Sequence, residues 1–237
     1  MTVDSREATL TERTRPAAPG WPEILAGTAV YVVSLVLVAL LLPRIESDAA
    51  TGVVGLLVSG VIGLLAFALA VRLRIRDLAV FGVRRARPRH LLVGATLGLG
   101  AYVLGTIASL IYIVLSGDTE NIQTSYQAAA AGGWWYLALA LAAGAVLTPL
   151  GEEAFFRGVV ANALLHRYRA WIAVVASAAF FALAHGVNPI LPVAFVVGVL
   201  TALLLRWSGS IWPGVLLHGV NNAIALLVPV LIGLGTE

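Results

Sequence analysis

The sequence predicts an all-α, polytopic transmembrane helix bundle, and three observations carry that expectation. The chain of 237 residues is 60% hydrophobic and only 11% charged, with a mean hydropathy of +0.95, whereas a soluble domain is charged at roughly 25% of its positions. Its apolar residues fall into runs at about 21–43, 50–71, 91–116, 134–165, 170–187, 189–206 and 211–233, each near the ~20 helical residues that cross a hydrocarbon layer of roughly 30 Å. Most of its charges are sorted into the gaps between those runs. About seven spans are therefore expected, with eight as the alternative.

The basic balance comes from arginine alone, since the chain contains no lysine. Arginines placed between apolar segments orient a membrane protein, so the bilayer is the expected partner and nucleic acid is not. The absence of cysteine excludes disulfides, thiolate metal sites and a cysteine nucleophile.

Taken in order, residues 1–20 are polar, mixed in charge and proline-containing, unlike the short basic start of a cleavable signal peptide; a disordered cytoplasmic tail is expected. Residues 21–130 form the N-terminal transmembrane helices. Their loop 72–90 carries Arg72, Arg74, Arg76, Arg84, Arg85, Arg87 and Arg89, which the positive-inside rule puts in the cytoplasm together with the N-terminus. The third span then leads outward to a polar, acidic loop, 117–127, and Trp134-Trp135 anchors the re-entering chain at the interface. His166, Arg167 and Arg169 mark the next inner boundary, and Arg206 and Ser208 another, leaving the C-terminus outside. The run 134–165 is too long for one upright span. Splitting it at Pro149 would carry Arg167 and Arg169 to the outer face, so one long helix kinked near Pro149 is preferred. Glycines in 51–63 and 91–105 point to close helix packing.

Residues 131–233 hold three polar motifs within apolar runs. In Glu152-Glu153-Ala154-Phe155-Phe156-Arg157, Glu153 and Arg157 share a helix face and pair, while Glu152 points about 100° away. One carboxylate is held ionised and the other stands in an apolar setting, a division suited to general-base chemistry. In Phe181-Ala182-Leu183-Ala184-His185, the ring and the imidazole lie on one face, and Gly186 and Asn188-Pro189 end the helix. In His218-Gly219-Val220-Asn221-Asn222, His218 and Asn222 stack one turn apart. A rise of ~1.5 Å per residue puts Glu152 about 21 Å, His185 about 24 Å, and His218 and Asn222 about 15–21 Å from their inner boundaries. Alone, a membrane histidine often joins two helices, and a Glu-Arg pair can simply lock them. Three costly polar faces at one depth point instead to a site. His90 and His166, beside boundary arginines, read as solvated interfacial residues.

Several chemistries are excluded. No His-Glu-x-x-His zinc helix occurs. Asp4, Asp48, Asp77 and Asp118 lie in tails or loops, too shallow for an aspartyl dyad, and Ser208 lies at a boundary below the histidines. Glutamate and histidine remain, with zinc or manganese ligation by the same side chains left open. A proton- or cation-coupled transporter is a rival reading, although no paired halves are visible. A non-proteolytic immunity or scaffolding protein is another.

Glu152-Glu153-x-x-x-Arg157, Phe181-x-x-x-His185 and His218-x-x-x-Asn222, in this order on successive segments, resemble the motifs of the CPBP family (CAAX proteases and bacteriocin-processing enzymes, also called the ABI family), over about 134–230. The resemblance implies an intramembrane glutamic endopeptidase without a cofactor, with 131–233 as its catalytic region and a peptide or membrane protein as substrate. Glu152 and His185 would activate a water, Glu153 and Arg157 would support them, and His218 and Asn222 would stabilise the oxyanion. The Ala, Val, Leu, Gly and Arg bias suggests a GC-rich bacterium and its plasma membrane.

Overall fold

In the computed structural model, residues 18–233 are described, and every regular element among them is helical. In chain order these are α1 (Trp21–Leu41, continued by a 3-10 turn Leu42–Arg44), α2 (Asp48–Leu73), α3 (Pro88–Ser116), α4 (Thr124–Ala131), α5 (Trp134–Arg167), α6 (Ala170–Leu183), α7 (Leu191–Ser208) and α8 (Trp212–Leu231). Six of them are long and apolar enough to cross a membrane.

All seven expected spans are helices, but α6 has only 14 residues. At ~1.5 Å per residue it rises about 21 Å and falls short of a crossing. The cause is local: Gly186 adopts a left-handed φ of 83°, while Asn188 donates to the His185 carbonyl at 2.7 Å and accepts from the Ile190 N–H at 2.8 Å. The chain therefore turns back after only about four helical turns, with Gly186 and Val187 exposed. Part of the expected outer loop, moreover, is the helix α4.

The run 134–165 is one helix, as the charge rule required. The irregularity expected near Pro149 takes the form of a π segment over Ala142–Leu147, in which the Thr148 N–H reaches back to the Ala143 carbonyl. In that register the next donor would serve Gly144, but proline has none. A second π segment spans Phe156–Ala161.

One end of the bundle gathers most of the arginines. Arg74 grips Glu23 through two nitrogens at 2.8 Å, Arg84 donates to the Gly209 carbonyl, and Ser210 Oγ donates to the Arg84 carbonyl at 2.7 Å. His90 lies there too, yet it is not a solvated interfacial residue. Its ring is buried 4.2 Å from that of Trp207; His166 remains exposed. The main apolar core fills this half, around Phe81, Phe155, Phe156 and Phe181. Of the expected tail 1–20, residues 1–17 lie outside the described residues; Pro19 and Gly20 are buried, and the Gly20 N–H donates to Glu23 at 2.8 Å.

The glycines do bring helices together. A Cβ at Gly63 would strike the Gly151 carbonyl, and one at Gly151 would strike that of Gly60. Backbone contact of α2 with α5 at this level sets Ser59 beside Glu152.

Candidate active site

The short α turn Thr148–Phe155, between the two π segments, presents its carboxylates to different neighbours. Glu153 is fully buried and turns toward α8, where Gly214 leaves room for it: a Cβ there would lie 2.9 Å from Glu153 Oε2. Arg157 Nε lies 3.1 Å from that oxygen but aims its hydrogen at Thr201 Oγ1, 2.6 Å away. The contact with Glu153 is thus ionic rather than a hydrogen bond. The guanidinium also lies 4.2 Å above the Phe181 ring, so a cation–π contact joins the first motif to the second.

Glu152 faces the opposite way, as its position on the helix predicts. Its Oε1 accepts from Ser59 Oγ at 2.7 Å. Its Oε2 has no hydrogen-bond partner and lies 3.9 Å from His185 Nε2 and 3.8 Å from His218 Nε2. Two imidazoles from distant segments thus converge on one carboxylate oxygen.

The other ring nitrogens assign the tautomers. His185 Nδ1 is 2.9 Å from the Phe181 carbonyl, and His218 Nδ1 is 3.1 Å from Glu153 Oε1. Both partners accept, so each Nδ1 carries hydrogen and each ring turns its Nε2 edge toward Glu152. Phe181 packs edge-on to both imidazoles, at 4.7 Å and 5.7 Å.

Asn222 Nδ2 donates to the Gly144 carbonyl at 2.9 Å, the acceptor that Pro149 leaves unserved, and Asn222 Oδ1 accepts from Asn221 at 3.1 Å. These two bonds orient the carboxamide and leave one N–H of Asn222 uncommitted. Glu152, His185, His218 and Asn222 all line a cavity of ≈ 350 Å³, within the range of small-ligand sites. Glu153 and Arg157 stand behind it.

The structure thus brings together every residue that the motifs singled out. Sequence reasoning missed Ser59, Thr201 and Asn221. The first two are small hydroxyls within apolar spans, and Asn221 falls outside the i, i+4 pattern; their polarity was the only signal. Ser208 bonds to the Leu204 and Ser210 carbonyls at the arginine end, away from the histidines. Among the described residues no cluster of three or more His, Cys, Asp or Glu side chains is disposed to hold a metal ion.

An all-helical membrane protein with an acid and two imidazoles lining a cavity has the groups that a membrane-embedded hydrolase needs. Residues 133–224 match the family model described as "Type II CAAX prenyl endopeptidase Rce1-like", so this segment is similar to the CPBP family. The match covers all three motifs and points to a peptidase. A comparison with curated proteins finds no match, and neither does one with solved structures.

Proposed function

We propose that the protein is an intramembrane endopeptidase that hydrolyses a peptide bond with a water activated by Glu152 and His185. One observation carries this reading: Glu152 Oε2, unpartnered, faces two imidazole Nε2 atoms at 3.8–3.9 Å within a cavity. A water held there gives a proton to Glu152 as its oxygen attacks the scissile carbonyl carbon. The tetrahedral intermediate then collapses, the C–N bond breaks, and the proton passes through His185 to the leaving amine.

His218 and Asn222 would face the developing oxyanion. For His218 Nε2 to donate, both ring nitrogens must carry hydrogen, and Glu153 at Nδ1 is the anion that an imidazolium needs. Arg157 and Thr201 would hold Glu153 in place. The loop 72–90 would lie in the cytoplasm with the N-terminus, in the plasma membrane of a bacterium.

The test compares wild type with Glu152→Ala and His185→Ala in detergent against a peptide library, with and without a chelator. A general base is typically worth ~10²–10⁴ in rate, so cleavage should nearly vanish in both variants and survive chelation. Loss on chelation of the wild type would transfer the chemistry to a bound zinc or manganese ion. Cleavage undiminished in Glu152→Ala would move the catalytic base elsewhere, and a biological effect left intact by Glu152→Ala would favour an immunity or scaffolding role.

A further inference from the structure

The cavity lies in one half of the bundle only. Going from Glu152 along α5 it is lined by Thr148 and Gly144; along α8 it runs from His218 to Pro229, and along α3 from Tyr102 to Leu110. Each of these directions leads away from the end where Arg74, Arg84 and Gly209 meet. At the far end its wall includes Gln123, Tyr126 and Gln127, at and within the start of α4. The opposite half is closed by the aromatic core around Phe81, Phe155 and Phe156.

The α6–α7 hairpin lowers one wall of the cavity. With 14 and 18 residues, these helices rise about 21 Å and 27 Å from the arginine end, whereas the 29 residues of α3 rise about 43 Å. Non-helical backbone at 184–190 thus lies at membrane depth beside the cavity, which is tolerated where the backbone lines water. The lining mixes apolar side chains with uncharged polar ones and carries no carboxylate besides Glu152 and no arginine. Asn221 is among the lining residues, and its Oδ1 is buried without a hydrogen-bond partner, an acceptor suited to a backbone N–H.

We propose that the cleft admits an extended polypeptide segment with uncharged side chains from the membrane face opposite the arginine-rich loop. By the positive-inside rule this is the non-cytoplasmic face. The proposal rests on the peptidase reading for what enters, but the side of entry can be measured without cleavage.

Because the chain lacks cysteine, single cysteines report directly. Tyr102→Cys in the cleft, Gln127→Cys at its mouth and Arg85→Cys in the basic loop are exposed to a membrane-impermeant maleimide in right-side-out and in inverted vesicles, in wild-type and Glu152→Gln backgrounds. The expected result is full labelling of Tyr102→Cys and Gln127→Cys in right-side-out vesicles and background labelling in inverted ones, with Arg85→Cys reversed. Labelling of Tyr102→Cys only in inverted vesicles, or only by a permeant maleimide, overturns the side of entry. In a peptide library cut by the purified protein, enrichment of neutral residues around the cleaved bond is expected; enrichment of charged ones overturns the substrate class. Correct labelling without any Glu152-dependent cleavage would sink the peptidase reading alone.

Discussion

In the proposed mechanism Glu152 depends on what holds its other oxygen. Ser59 donates to Oε1, which leaves Oε2 to face His185 and His218. A hydrogen bond to a charged group contributes about 1.5–3 kcal/mol, so Ser59→Ala should lower kcat roughly tenfold or more with little change in KM. Ser59→Thr, which keeps the hydroxyl, should restore most of the rate; steady-state kinetics on one peptide substrate decide it. Arg157 is a different case, because it touches no cavity and instead neutralises a fully buried carboxylate. Removing one member of a buried ion pair costs about 3–5 kcal/mol. Arg157→Met should therefore lower the thermal midpoint in detergent sharply, and adding Glu153→Gln should recover part of the loss. Equal midpoints for the single and double variants would mean that the two side chains are not coupled.

At the scale of elements, two departures from regular helix make the site. The π segment Ala142–Leu147 before Pro149 frees the Gly144 carbonyl that orients Asn222, and the break at Gly186 ends α6 with His185 at the depth of Glu152. Asn188 bridges that break through two hydrogen bonds. Asn188→Ala should reduce cleavage while leaving the helical circular dichroism unchanged, since it loosens the turn and not the helices. The contact of α2 with α5 has no slack, because a Cβ at Gly151 would strike backbone. Overpacking of this kind costs about 1–3 kcal/mol; Gly151→Ala should destabilise the protein and cut activity more than stability, by moving Ser59 off Glu152. Parallel measurement of thermal midpoint and kcat separates the two effects.

At the scale of the whole molecule, arginines at one end and a cavity in the opposite half set a direction across the membrane. Replacing Arg84, Arg85, Arg87 and Arg89 by neutral residues should yield a mixture of orientations, seen as protease-accessible loops on both sides of the membrane, because loop charge sets topology. Membrane class, helix order and the motif residues were legible in the sequence, since the bilayer permits so few ways to satisfy backbone and charge that composition and spacing reveal them. The pairing of Glu153 with Arg157 was legible too, being a contact between neighbours one helical turn apart. Ser59, Thr201 and Asn221 were not, because a lone hydroxyl or amide in an apolar run acquires meaning only from a helix tens of residues away. The shortness of α6, the burial of His90 against Trp207 and the closure of the cavity at the arginine end likewise depend on packing between distant segments. Sequence alone determined which polar groups the membrane must accommodate; only the tertiary structure decided which of them meet, because that depends on how closely glycine-bearing helices approach and where each helix stops.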